Sequence, residues 1–323
     1  MKRFHTFLLG CVYACVFATA GPALAQDYPN RSIRLVVPAG GGGAMDPIAR
    51  HVAQALEKVL GQPVVVDNKP GGGGMVGALQ VTMAPADGYT LLVTSSALPS
   101  ALAVRRTSPV RMEQIDNITV IAETPLALST GKTPSFASLR DLIAYAKANP
   151  GKLNFGANGV GSTSHMLGEK FAYDAGVKIV PVLYNAAGQM WLALFGGQVH
   201  FVIDNLLSSM ANTKDGRAKI LAVSSQVRSP LVPDIPTFAE LDLPHVATTG
   251  WYGIGAPAGT PVPVLRKLES AVLEAGKSQE LREKITTMGA SPIFSTRADA
   301  NSKLKTDFQY WKDISSTLGI TVD

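Results

Sequence analysis

The chain has 323 residues, 46% of them hydrophobic and 16% charged, with a formal net charge of +5. So apolar a composition excludes an intrinsically disordered protein, and the length provides one large domain or two lobes of about 150 residues, each able to bury a core. The positive charge is spread without a Lys/Arg block, which argues against nucleic acid as a partner.

Residues 1–25 read as a secretory signal peptide, so the predicted location is the periplasm. Lys2 and Arg3 form the positive start, an apolar stretch runs from Phe7 to Ala20, and Ala23-Leu24-Ala25 has the small-x-small form of a cleavage site after Ala25. The apolar run is shorter than the roughly 20 residues of a spanning helix. Leu8-Leu9-Gly10-Cys11 has the letters of a lipoprotein box, although the apolar run before Cys11 is very short for one. Cleavage after Ala25 removes both cysteines, Cys11 and Cys15, leaving no disulfide, no Cys nucleophile and no zinc–thiolate site.

Strands and helices then alternate. Ile33–Val37 is a short β-branched run and predicts a buried strand. Glycines 40–43 follow, and Asp46-Pro47 predicts an N-cap with Pro at the first helical position. That helix runs to Leu60 with Ile48, Val52, Ala55, Leu56 and Val59 inward, and Gly61 stops it. Pro63–Val66 is the second strand, a helix starts near Met75, and Thr90–Thr94 is the third strand. A second series begins at Ser138, which opens a helix with Leu139, Leu142, Ile143 and Ala146 inward. Strands at Leu153–Phe155, Lys178–Val182, Phe201–Ile203 and Ile220–Val223 alternate with helices from Ser162 to Ala175, Ala186 to Phe195 and Leu206 to Asp215. The C-terminus is mostly helical, at Val262–Ala275, Gln279–Met288 and Arg297–Leu318.

Such alternation implies parallel sheets covered by helices on both faces. Pro and Gly clusters bracket the middle segment, which predicts two α/β lobes joined by two crossings: 26–126 with 249–323, and 127–248. A cleft between two such sheets, beyond the carboxyl ends of their strands, is the expected binding site.

Three strand-to-helix loops are rich in glycine or small hydroxyls: Pro38 to Gly43, Thr94 to Ala97, and Asn158 to Ser164. Glycine lets a ligand approach bare backbone N–H groups, and a following helix N-terminus adds about half a positive charge. This composition suits a carboxylate held without Arg or Lys; tight turns that only close the fold are the alternative reading of each loop.

Other motifs fail. Gly72-x-Gly74-x-x-Gly77 has the letters of a dinucleotide fingerprint, but Asp67–Pro70 separates it from its strand and the ribose-binding acid is missing. There is no G-x-S-x-G elbow. His165 and Glu169 share a helix face at i, i+4, but two ligands do not make a metal site, so no metal and no cofactor is predicted. His165 either packs near its helix start or donates to a ligand. Asp204-Asn205 ends a strand, where a helix cap and a cleft contact are compatible roles. Trp191 reads as core, while Trp251 and Tyr252, near a crossing, read as packing or as cleft lining.

In order, "YPNRSIRLVVPAGGGGAMDPIAR", "GQPVVVDNKPGGGGMVGA", "PADGYTLLVTSS", "NPGKLNFGANGVGSTSHMLGEKF", "VPVLYNAAGQMWLALFGGQVHFVIDN" and "GWYGIGAPAGTP" resemble the tripartite tricarboxylate transporter substrate-binding proteins, the Bug or TctC-type receptors, over essentially the whole mature chain. The resemblance implies a type II periplasmic binding protein, monomeric and non-enzymatic. Such a receptor closes its lobes around a small carboxylate and serves a membrane permease or, alternatively, a sensor histidine kinase. It carries ligand contacts onto Ala39, Gly40 and Gly41; Ser95, Ser96 and Leu98; Gly161, Ser162, Thr163 and His165; Tyr184 and Asn185; and Asp204 and Asn205. The rival of another class is an exported hydrolase using Ser95 or Ser162, which lacks an evident base–orienter pair.

Three departures from the family pattern stand out. Pro38-Ala39-Gly40-Gly41-Gly42, with Met45 before Asp46, replaces a bulkier loop with Thr before the Asp. Tyr184-Asn185-Ala186 stands where a Lys or Arg is common, and Leu206 where Pro is usual. Together they suggest neutral donors in a roomier, more apolar pocket, suited to an aromatic or longer carboxylate such as a benzene dicarboxylate.

Overall fold

The computed structural model describes residues 28–40 and 44–322. The predicted signal segment, its cleavage site, Cys11 and the candidate site residue Gly41 lie outside the described residues. In chain order the elements are β1 (Ile33–Val37), α1 (Met45–Leu60), β2 (Val64–Asn68), α2 (Met75–Thr82), β3 (Thr90–Ser95), α3 (Ala97–Ala103), β4 (Ile115–Thr130), α4 (Leu139–Ala148), β5 (Leu153–Asn158), α5 (Thr163–Ala175), β6 (Ile179–Tyr184), α6 (Ala187–Phe195), β7 (Phe201–Asn205), α7 (Leu206–Thr213), β8 (Lys219–Val223), β9 (Thr249–Pro257), α8 (Val262–Ala275), α9 (Gln279–Thr287), β10 (Ser291–Pro292) and α10 (Arg297–Leu318). No helix among the described residues is long and apolar enough to cross a membrane.

The helices follow from spacing and caps. In α1, Ile48, Val52 and Leu56 are buried along one face, and Gly61 closes the helix with φ 66°. Val59, expected inward, is 40% exposed because it sits in the last turn, beyond the sheet edge that the helix covers. Asp46 is not the N-cap. The helix begins two residues earlier than expected, at Met45, with Ala44 at the cap position. Asp46 instead accepts from Arg50 Nε at 3.0 Å and Asn68 Nδ2 at 2.9 Å, and the Arg50 hydrogen bond is the main reason its carboxyl is held below the ordinary range. Ser138 and Ser162 do cap their helices, accepting from Asp141 N and His165 N at 3.2 Å.

One mixed sheet runs β2-β1-β3-β9-β4-β7-β5-β6, with β8 and β10 also pairing β4. The expected parallel order holds within each half: β1 pairs β2 and β3, and β5 pairs β6 and β7. The strands between the halves correct that expectation, because β9 is antiparallel to β3 and β4, and β4 is antiparallel to β7 and β8. β4 changes partners along its length: Ile115–Pro125 lies against β9, and Leu126–Thr130 lies between β7 and β8.

Each half buries its own core. The first gathers Leu35, Val37, Val52, Leu56, Ile121, Ile254, Leu268 and Ile285. The second gathers Leu128, Leu142, Phe155, Phe171, Phe201 and Phe238, with Phe155 stacked on Phe201 at 5.6 Å between centroids. Burying one such side chain contributes about 1.5–3 kcal/mol, so in a stretch without cysteine these clusters carry the fold. The two halves, each an α/β layer with its own core, fit the type II periplasmic binding architecture that the resemblance implies.

Candidate functional site

Parallel strands release their chain at one edge, so the loops after β3 and β5 can meet there across the two halves. They do. Thr163 Oγ1, at the start of α5, donates to Ser96 Oγ at 3.3 Å and lies 3.5 Å from Ser100 Oγ of α3. Gly161 makes this approach possible. It has φ +73°, and a Cβ there would sit 2.4 Å from Val104 Cγ2 and 3.3 Å from Ala101 Cα.

The α5 loop is fixed by its own polar groups. Asn158 N donates to Ser164 Oγ at 3.0 Å, Ser162 and Ser164 share a hydrogen bond at 3.1 Å, and Gly161 N donates to His165 Nδ1 at 3.2 Å. His165 therefore packs at the helix start rather than offering Nδ1 to a ligand. Burial lowers its pKa to about 4, so the ring is neutral at ordinary pH. Its Nε2 is 3.7 Å from Glu169 Oε1, beyond hydrogen-bond range, and burial raises the Glu169 carboxyl. Among the described residues no group of three or more His, Cys, Asp or Glu is placed to hold a metal ion.

Asp204 closes the floor of the second half. It is 2% exposed and accepts from Trp191 Nε1 at 2.9 Å, Asn205 N at 2.9 Å and Asn158 Nδ2 at 3.4 Å. Burial raises its carboxyl against the lowering effect of these bonds. Asp204 is thus a buried anchor and not the cap of α7: the cap position is Asn205, whose side chain makes no cap bond. Beside it, Gly159 N donates to Tyr184 O at 2.9 Å, which brings Tyr184 and exposed Asn185 to the same edge as the α5 loop.

On the first half, Ala39 O accepts from Asn68 Nδ2 at 3.2 Å, and Gly40 is exposed. Ser95 ends β3 directly opposite Tyr252 of β9, and Ser96 N donates to Trp251 O at 3.1 Å. Leu98 packs with Met75, Leu92 and Ala101, so its backbone amide, in the first turn of α3, is the part that can face a ligand. Two apolar departures also turn inward. Met45 packs on the first core and Leu206 on Ala127 and Val223, so neither makes the cleft more apolar.

Sequence reasoning missed three supports: Ser100, Asn68 and the Trp191–Asp204 pair. Ser100 follows Ser96 at helical spacing, a signal hidden because α3 was not predicted. The other two join residues 22 and 13 positions apart, which spacing alone does not reveal.

The predicted site residues include no Lys or Arg. What they offer is hydroxyls, first-turn amides and the positive ends of two helices, a set that stabilises an anion without a counter-charge. The family described as "Tripartite tricarboxylate transporter family receptor" matches residues 48–320. Protein BugT of Bordetella pertussis is 34% identical over 95% of this chain and 96% of its own. A Rhodopseudomonas palustris protein solved with adipate is 34% identical, with TM-score 0.85 over 91% of this chain and 99% of that one. MatC of Rhodopseudomonas palustris, solved with bound malate, is 28% identical, with TM-score 0.81 over 89% and 99%.

Proposed function

The chain belongs to the tripartite tricarboxylate transporter family of receptors, the Bug/TctC periplasmic solute-binding proteins, which are not enzymes, and on that premise we propose that it receives a small di- or tricarboxylate and hands it to a tripartite-type membrane permease. The exported chain begins after Ala25 and acts as a monomer. Its closing units are 26–126 with 249–323, and 127–248.

The observation that carries this reading is the meeting of two helix starts, α3 and α5, at Ser96 and Thr163, with no cation among the candidate residues. A carboxylate between them gains contacts to both lobes only when the lobes are closed, so it shifts the population towards closure. The structural relatives that hold adipate and malate support a carboxylate as the cargo. Asn185, neutral where the family often carries a cation, favours ligands whose far end needs no counter-charge, aromatic dicarboxylates among them.

The test is calorimetric titration of the wild type and the S95A/S162A double variant with adipate, malate, citrate and terephthalate. Loss of two hydrogen bonds at about 1 kcal/mol each weakens binding by about thirty-fold. Unchanged affinity in the double variant contradicts the site assignment.

A further inference from the structure

Tyr252, read from the sequence as packing or as cleft lining, is not among the contacts carried over from the family, yet its surroundings give its hydroxyl a task. Leu91 and Val93 of β3 face the first core, so strand alternation turns Ser95 to that same face. Tyr252 sits directly across from Ser95 on β9, and cross-strand partners share a face. Ala39, Ala44 and Met45, which flank the glycine-rich loop, pack on the same cluster as the Tyr252 ring. The ring, the Ser95 side chain and Ala39 therefore share one end of the first core. Across the cleft, Asp204 lies within electrostatic reach of the phenol.

The Tyr252 ring is buried, with the residue 6% exposed, while its hydroxyl makes no side-chain hydrogen bond among the described residues and is not one of their fully buried unpaired atoms, so its tip keeps contact with solvent. A hydroxyl that has no protein acceptor and little water around it is free to donate to a ligand oxygen. Burial, and secondarily the Asp204 charge, raises the phenol pKa, so the group is a protonated donor at ordinary pH.

We propose that Tyr252 is a ligand-binding residue of the cleft, its phenolic hydroxyl donating to the same carboxylate group that Ser95 receives. This rests on the receptor reading given above and adds to it a donor fixed on the strand between the lobes.

Tyr252→Phe keeps the ring and deletes only the hydroxyl. The wild type and Y252F are titrated in parallel with adipate, malate, citrate and terephthalate, and their ligand-free melting temperatures are compared. The expected result is binding about ten-fold weaker in Y252F, one lost hydrogen bond to a charged acceptor, with the ligand-free melting temperature unchanged. A second readout does not depend on stability: ligand addition perturbs the near-ultraviolet tyrosine absorption of the wild type, and Y252F removes that perturbation. If the wild type binds and Y252F binds equally well, or the perturbation survives in Y252F, the role of Tyr252 is overturned while the receptor reading stands. If the wild type binds none of the four, the receptor reading falls and this inference falls with it.

Discussion

Thr163 Oγ1 donates to Ser96 Oγ across 3.3 Å, joining the first turn of α5 to the first turn of α3. These turns belong to different halves of the sheet, so the contact ties the two ligand-facing loops together, beside the close packing of Gly161 on α3. Thr163→Val keeps the shape and deletes the donor. It lowers the unfolding free energy by about 1 kcal/mol and weakens carboxylate binding several-fold. Urea unfolding and calorimetry check this; wild-type values in both contradict it.

Gly161 is the steric counterpart of that contact. Gly161→Ala forces a Cβ to within 2.4 Å of Val104 Cγ2 at a φ of +73°. The strained backbone alone costs about 1–3 kcal/mol. The expected outcome is a lower melting temperature together with at least ten-fold weaker ligand binding, because α5 and α3 are pushed apart. A G161A protein that melts and binds like the wild type contradicts the close packing.

Much of this was legible in the sequence where apolar period and caps agree. The β1 run and the Ser138 and Ser162 caps appear where their residues predicted them. Two long strands were not legible. In β4, the positions buried in the sheet include Asn117, Thr119, Thr124, Ser129 and Thr130, so the hydrophobic pattern is broken, and Pro125 falls where the strand changes partners. In β9 the glycines conceal the strand, and the fold requires them: a Cβ at Gly253 would lie 2.4 Å from Thr119 O. Helix α3 is not legible in the sequence, where Thr94 to Ala97 reads as a loop and Pro99 follows at once, although Pro in a first turn is tolerated. Residue types identified the site loops, but partners distant in sequence, such as Trp191 for Asp204, are products of the tertiary fold.

His165 makes stability depend on pH. Its pKa falls from 6.5 to about 4 through burial. Below 6.5 the unfolded chain takes up a proton that the folded chain refuses, so stability rises with pH through this window. The contribution is complete above 6.5 and is lost as pH falls through about 4, for a total of at most about 3 kcal/mol. His165→Asn retains an acceptor for the Gly161 amide without titrating. The difference in unfolding free energy between wild type and H165N should change over this range; a difference independent of pH contradicts a buried neutral histidine.

Asp204 should matter more for folding than its position beside the cleft suggests. Asp204→Ala strands the Asn205 N–H and leaves the Trp191 Nε1–H only its second acceptor, Ser208 Oγ at 3.1 Å, in a buried site. The expected loss is about 2 kcal/mol or more. Asp204→Asn keeps an acceptor and removes a carboxylate that burial already disfavours, so it should cost less. Denaturant unfolding followed by tryptophan fluorescence ranks the two; D204A as stable as D204N would contradict the anchoring role.

The most direct measurement is thermal unfolding of the protein, stripped of bound ligand by unfolding and refolding, against mono-, di- and tricarboxylates, aliphatic and aromatic. A ligand at about 100 times its dissociation constant stabilises by about 2.7 kcal/mol, a rise of a few degrees for a chain of this size. A rise confined to one class of carboxylate is the predicted result and identifies the cargo. No rise with any carboxylate would contradict a cleft built from helix starts and hydroxyls to hold an organic anion.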